Sequence, residues 1–156
     1  MTKTSLWFAA GLGLTLATAG YAITAPAPAA SAAIDARKAN FKEIGGAFKT
    51  INDEIKSGAP DINTVRPLAR DLATRASLIS RQFPRGSGPE SGLKTRAKPE
   101  IWTDPPGFQK LQTDLVAAAN NLNAAAATGD VAALISARAA LGGVCKSCHE
   151  RFRQAD

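Results

Sequence analysis

The residues with the most distinctive chemistry lie near the end of the chain, in the pentapeptide Cys145-Lys146-Ser147-Cys148-His149. It contains both cysteines and the one histidine of the 156-residue sequence. A C-x-x-C-H pattern is typical of covalent haem attachment, because the thiols can form thioethers with the haem vinyl groups while the imidazole ligates the iron. The pattern therefore predicts one haem c per chain, held by Cys145, Cys148 and His149.

Two other uses of a cysteine pair compete with haem attachment. A zinc site needs four protein ligands, or three and an open position, and the chain has no second histidine and no third cysteine. A thioredoxin-type redox pair is expected at the start of a helix in an α/β pattern, whereas this pair follows an alanine-rich segment with helical periodicity. Haem attachment is favoured, and the redox pair remains the alternative.

The first 33 residues predict export. Lys3 is the only charged residue before Asp35, and it precedes an apolar run of the kind found in secretory signal peptides. An alanine- and proline-rich spacer follows at residues 25–30. An uncleaved membrane anchor is the alternative, since the uncharged run reaches the roughly 20 residues that a spanning helix needs. Residues 34–156 are interpreted as one periplasmic domain, in contact with a membrane only if the N-terminal segment stays uncleaved.

The charge of the chain argues against a nucleic-acid partner. There are 19 Lys and Arg residues against 13 Asp and Glu, for a formal charge of +6, and removal of Lys3 with the signal would leave about +5. The basic residues are spread singly along helical faces, so a solvated surface explains them better than a nucleic-acid site. The charge supports a weak preference for an acidic partner, but it identifies no redox partner protein.

Apolar residues recur every three or four positions in four segments, which predicts four amphipathic helices. The first spans residues 34–56 and the second residues 63–83. Asp104 before a proline predicts the start of the third helix, Gly129 its end, and Asp130 the start of the fourth. No alternation of period two predicts a strand. The sequence therefore predicts an all-α, antiparallel four-helix bundle whose facing helices hold the haem.

The one long connection between the predicted helices is residues 84–103. It contains three glycines and three prolines. A connection of this length without predicted secondary structure is typical either of disorder or of a functional segment that wraps a site.

Together these features resemble cytochrome c' (cytochrome c prime), the class II c-type cytochromes, whose members are standard examples of the four-helix bundle. The resemblance rests first on the haem motif near the carboxyl end, followed by Phe152 and Arg153. It rests also on Arg37 four residues before Phe41, and on the tract Ala-Lys-Pro-Glu-Ile-Trp at 97–102. It covers the whole predicted domain and implies covalent haem c and a homodimer through the first two helices.

The resembled family divides by the residue on the distal side of the iron. Low-spin members place a first-helix methionine there, and high-spin members an apolar side chain. Counting from Arg37, this position is Phe41. The one methionine is Met1 and the one histidine is His149, so neither His/Met nor His/His ligation can be assembled. A lysine or a water as sixth ligand would need a polar distal pocket, which the apolar neighbours of Phe41 do not suggest.

An open iron face without hydrogen-bond donors favours NO and CO over O₂. The predicted function is therefore that of an exported, redox-active cytochrome that binds NO and CO, with Phe41 setting steric access. Periplasmic electron transfer is the alternative, although a five-coordinate iron reorganises more than a six-coordinate one. Enzyme activity of the peroxidase type is not predicted, because no histidine is left for distal acid–base chemistry.

Two arginines receive roles from the resemblance. Arg37 lies one turn from Phe41 on the inward side of the helix, where the family arginine meets a haem propionate; a side chain that extends to the surface is the alternative. Arg153, four residues after His149, is similar to the family arginine beside the proximal haem face, and surface solvation is the alternative. Phe41 could also be simply a core aromatic.

Overall fold

The computed structural model describes residues 27–155; the predicted signal segment before Ala27, and Asp156, lie outside the described residues. Four long helices form the bundle: α1 (Ala27–Lys56), α2 (Ile62–Leu78), α4 (Pro105–Thr128) and α5 (Val131–Phe152). A single turn, α3 (Glu100–Thr103), precedes α4. In the described part of the chain no strand occurs, and one isolated antiparallel bridge joins Ala97 to Arg153. The predicted all-α bundle is confirmed.

Helices that follow one another in the chain pack side by side: α1 with α2, α2 with α4, and α4 with α5. Their inward aliphatic side chains form the main core, and its largest fully buried members are Ile51, Val65, Leu72, Leu122, Leu134 and Leu141. By contrast, α1 and α5 approach each other closely at few positions. The side of the bundle between α1 and α5 is therefore the one that the chain's own side chains close least.

Helix α1 begins at Ala27, seven residues earlier than the periodicity predicts. Five of these seven residues are alanine, which has the highest helix propensity, and Pro28 lies in the first turn, where proline is tolerated. Ala30 and Ile34 are buried, at 1% and 2% exposure. The spacer predicted at residues 25–30 is thus helical from Ala27 onward.

Helix α4 begins and ends, and helix α5 begins, as predicted from their capping residues. The carboxylate of Asp104 accepts a hydrogen bond from the backbone N–H of Gly107 at 3.2 Å. Gly129 ends α4 in the left-handed conformation, with φ of 74°. The carboxylate of Asp130 accepts a hydrogen bond from the N–H of Ala133 at 3.0 Å. Both caps satisfy backbone donors that the first turn of a helix leaves unpaired.

We expect Asp104→Ala to lower the free energy of unfolding by about 2 kcal/mol, because Asp104 both caps α4 and forms an ion pair with Arg151 of α5. Asp104→Asn can still cap but cannot pair, so its loss should stay below about 1 kcal/mol. Asp130→Ala is the control, since it removes a cap that makes no ion pair among the described residues, and should cost about 1 kcal/mol. Urea denaturation measures all three. Equal losses for the Ala and Asn variants at Asp104 would show that capping contributes nothing.

The long connection, residues 82–99, has a defined course and is called the strap below. It follows a 3₁₀ turn (Ile79–Arg81), contains a second one (Pro89–Ser91), and leads into α3. The indole N–H of Trp102 donates to the carbonyls of Phe83 and Pro84, both at 3.2 Å. The aromatic residue that ends the Ala-Lys-Pro-Glu-Ile-Trp tract thus holds the start of the strap against the bundle.

Candidate haem site

The pentapeptide lies in the last two turns of α5. Cys145 packs at the edge of the main core. Cys148 packs against a smaller cluster of buried residues near the end of the chain, which consists of Ala97, Ile101, Phe108 and Phe152. Because residues three and four apart share a helix face, the two thiols and the His149 imidazole lie along one side of α5.

The state of the two thiols fits thioether formation better than metal or redox chemistry. Burial raises the pKa of Cys148 to about 11, with a smaller contribution from the neighbouring Cys145. Burial also raises the pKa of Cys145. A catalytic redox pair needs a thiol with a lowered pKa, and burial shifts the pKa of both thiols the opposite way. Within residues 27–155, no group of three His, Cys, Asp or Glu side chains is placed to hold a metal ion. The residues therefore fit a covalently attached haem.

His149 is the one imidazole available as an axial ligand. Desolvation lowers the pKa of His149, and the positive charges of Arg153 and Arg96 lower it further. The imidazole is therefore neutral at pH 7, which is the form that ligates iron. The carbonyl of His149 accepts a hydrogen bond from the N–H of Arg153 at 3.1 Å, so the last turn of α5 is closed directly behind it.

Phe41 is half-buried on α1 and begins a row of aromatic rings that crosses the bundle. Its ring meets Phe83 edge-on, with centroids 6.4 Å apart. Phe83 meets Phe108 at 5.0 Å, and Phe108 meets Phe152 at 5.1 Å. This row, called the aromatic row, ends three residues beyond His149. The predicted distal residue and the pentapeptide therefore lie at the same end of the bundle, one on α1 and the other on α5.

Arg37 is the one buried charged side chain in the described residues, at 4% exposure. Its Nη1 donates to the hydroxyl of Ser87 at 2.9 Å, and its Nη2 donates to the carbonyl of Ser87 and to the hydroxyl of Thr95, both at 2.7 Å. The guanidinium carbon lies 4.9 Å from the centroid of Phe83. The alternative in which Arg37 extends to the surface is therefore wrong: the side chain points inward and binds the strap.

The charge of Arg37 has only neutral acceptors around it in the described residues: two hydroxyls and one carbonyl. Desolvation lowers the pKa of Arg37, and the negative charge of Glu90 raises it in part. The guanidinium nevertheless stays protonated, because arginine is not deprotonated in proteins. A buried cation without a contacting carboxylate fits an additional anionic group at this end of the bundle.

Arg153 is exposed just beyond the end of α5. Its charge reaches the imidazole, since it is one cause of the lowered pKa of His149. Its backbone forms the isolated bridge with Ala97 of the strap. The structure thus brings Arg153 near His149, the predicted axial ligand, as its position four residues after His149 suggests. The backbone bridge to Ala97 is a contact that the sequence does not indicate.

Asn40 is a polar residue beside Phe41 that sequence reasoning missed. It is 4% exposed, and its Nδ2 donates to the carbonyl of Arg75 and to the side-chain oxygen of Gln82, both at 3.1 Å. Its Oδ1 is buried without a partner in the described residues. The signal available in the sequence is its place on the inward stripe, four residues before Ile44, where an amide is unusual.

A groove of about 790 Å³ lies between α2 and α4 and does not include the pentapeptide. Its lining combines the aromatic residues Phe83, Trp102 and Phe108 with polar side chains such as Ser77, Gln112 and Asn120. Neither cysteine nor His149 lines this groove, but Phe83 and Phe108 of the aromatic row do, so it adjoins the candidate haem site.

Comparisons with known proteins match most of the chain. The family model described as Cytochrome C' matches residues 32–153. The cytochrome c' of Rubrivivax gelatinosus is 32% identical over 123 residues, which is 78% of this chain and 94% of the relative. The crystal structure of cytochrome c' from Thermochromatium tepidum aligns with a TM-score of 0.75 at 32% identity, covering 81% of this chain and 97% of that one. A ferrous cytochrome c prime variant from Alcaligenes xylosoxidans with bound NO aligns with a TM-score of 0.73 at 26% identity, over the same shares.

Proposed function

Because the chain belongs to the cytochrome c' family and carries one covalently attached haem c, we propose that it is an exported cytochrome whose five-coordinate haem binds NO and CO. Cys145 and Cys148 form the thioethers, and His149 is the sole axial ligand from the protein. The observation that carries this proposal is that the sequence supplies no second axial ligand of the usual kind, since the one methionine is Met1 and the one histidine is His149. The family resemblance puts Phe41 at the distal position. The known structure of a relative with bound NO supports it.

The preference for NO and CO follows from the side chains around the distal face. Haem iron supplies a coordination site for a diatomic ligand and a one-electron redox couple. Phe41 limits steric access to that site and offers no hydrogen bond to bound O₂. Both N–H donors of the neighbouring Asn40 are already bonded to Arg75 and Gln82. The described distal residues therefore favour ligands that bind without a donor.

The two arginines have separate roles in this proposal. Arg37 holds a haem propionate, which supplies the anionic partner that its neutral acceptors do not. Arg153 lies beside the proximal face, where its positive charge adds to desolvation in lowering the pKa of His149. Support for these roles is the burial of Arg37 and the effect of Arg153 on the pKa of His149.

Export to the periplasm, cleavage of the N-terminal signal and a homodimer through α1 and α2 belong to the same proposal. Among the helices of residues 27–155, α5 alone has the length and apolar composition that could cross a membrane. Only 11% of its most apolar stretch is buried in the described residues, but Leu134, Leu141 and Phe152 hold it in the two clusters of the bundle. We propose that any contact with a membrane is made by an uncleaved N-terminal segment.

Periplasmic electron transfer is the second candidate function. The observation that favours it is the excess of 19 Lys and Arg residues over 13 Asp and Glu residues. A haem near the surface can exchange electrons with a partner protein, and the positive net charge suits an acidic one.

The absorption spectrum of the reduced protein, with and without CO, tests the proposal. We expect a five-coordinate, high-spin spectrum that shifts on addition of CO or NO. A six-coordinate, low-spin spectrum that CO leaves unchanged would contradict the open site and favour electron transfer. As a control, the Cys145→Ala/Cys148→Ala variant should lose its haem on extraction with acidified acetone, whereas the wild-type protein should retain it.

A further inference from the structure

The strap is bonded to α1 through Arg37. Ser87 and Thr95 together accept all three hydrogen bonds of this buried guanidinium. Hydrogen bonds from a charged donor are roughly twice as strong as neutral ones. If the strap moved away here, the guanidinium would remain buried without these acceptors, which would raise the free energy of the folded state. The α1 end of the strap is therefore its firmly held end.

The other end of the strap is bonded to the chain directly behind α5. The N–H of Lys98 donates to the carbonyl of Phe152 at 3.0 Å, and the N–H of Gln154 donates to the carbonyl of Arg96 at 2.8 Å. The Arg96 side chain also donates to the carbonyl of Gln154, from Nε at 3.2 Å and from Nη2 at 2.9 Å. The Lys98 ammonium donates to the carbonyl of Glu150 at 2.8 Å. These bonds hold the segment that follows the haem motif.

The two attachments are adjacent in the chain. Thr95 binds Arg37, and the next residue, Arg96, binds Gln154. The Thr95 hydroxyl also accepts a hydrogen bond from the N–H of Ala97 at 3.2 Å, which fixes the strap across this junction. Since α1 and α5 contact each other directly at few positions, the strap is a short hydrogen-bonded connection between the helix of Phe41 and the end of the helix of His149.

We propose that Ser87 and Thr95 are positioning residues for His149. By fixing the strap on Arg37, they fix the last turn of α5 and with it the direction of the imidazole. A change on the α1 side of the haem is thereby transmitted to the proximal side without passing through the haem. This inference rests on the proposed role of His149 as axial ligand.

The test uses the haem-loaded protein with Thr95→Val, which removes the hydroxyl and keeps the shape, and Thr95→Ser, which keeps the hydroxyl. We expect Thr95→Val to speed hydrogen exchange of the Lys98 and Gln154 amides about tenfold, the effect of losing roughly one hydrogen bond to a charged group. We also expect it to shift the iron–histidine stretching band of the reduced protein in resonance Raman spectra. Thr95→Ser should restore both wild-type values, and Ser87→Ala should repeat the effects of Thr95→Val.

Ser91→Ala is the matched control, because the Ser91 hydroxyl lies in the strap but donates to the Gly88 carbonyl at 2.6 Å and does not contact Arg37. It should change neither signal. Unchanged exchange at Lys98 and Gln154 in Thr95→Val, or an unshifted iron–histidine band, would overturn the proposal. Failure of the proposed function would show separately, as a wild-type spectrum that does not respond to CO, and the exchange measurement would still test the strap.

Discussion

The Phe41→Met variant is expected to convert the reduced protein from a five-coordinate to a six-coordinate, low-spin form. Phe41 is half-buried on α1 opposite the pentapeptide, and a thioether at this position could reach the iron. If the methionine occupied the iron in all but about one molecule in a hundred, the apparent CO affinity would fall about 100-fold, since CO binds only the open form. Absorption spectra and CO titration of the reduced protein measure both effects.

Phe48→Met is the control for this substitution. Phe48 lies two helical turns along the same face of α1, is also half-buried, and approaches Gly142 of α5. Its replacement by methionine should alter packing but leave the high-spin spectrum and the CO affinity unchanged. If Phe41→Met behaved in the same way, Phe41 would be an ordinary core aromatic and the distal assignment would be wrong.

The helices could be predicted from sequence because their causes are local. Asp104, Gly129 and Asp130 act on backbone groups within a few residues of themselves, so the bounds of α4 and the start of α5 follow from residue type. The periodicity predicts the start of α1 too late, because alanines carry helix propensity without adding large side chains to the apolar stripe. Their packing, seen at Ala30, depends on the rest of the bundle.

The strap could not be predicted because its partners are far away in the chain. Arg37 and Ser87 are separated by 50 residues. Periodicity places Arg37 on the inward face, but whether it is buried depends on acceptors supplied by a segment that has no periodicity of its own. The pairing of the strap with residues 152–154 is likewise a tertiary contact between two segments without a strand pattern.

For the candidate site, the sequence indicates the ligands better than their surroundings. The two thiols and the imidazole are identified by spacing alone, whereas Phe41 was singled out only by resemblance to the family. The aromatic row joins four separate segments: α1, the strap, α4 and α5. No spacing within one segment could have shown it.

Replacing Arg37 by methionine is expected to lower the free energy of unfolding of the haem-loaded protein by about 3 kcal/mol, because it removes three buried, charge-assisted hydrogen bonds. Urea denaturation measures the loss. Arg75→Met is the control. Arg75 is half-buried, but its ion pair with Asp71 is on the surface, so this variant should lose less than about 1 kcal/mol of unfolding free energy. Similar losses for the two variants would show that the Arg37 contacts contribute little.

Two partners are proposed for Arg37, the strap and a haem propionate. Whether adding Arg37→Met to a variant without the strap hydroxyls raises or lowers stability distinguishes them. Ser87→Ala with Thr95→Val removes the strap hydroxyls and leaves the guanidinium buried with fewer acceptors. If the strap is its only partner, adding Arg37→Met to this pair should restore stability, since a stranded buried cation is more costly than none. If Arg37 also holds a haem propionate, the same addition should destabilise the protein further, because it removes a remaining ion pair. A gain in stability would therefore contradict the propionate contact while leaving the strap contact intact.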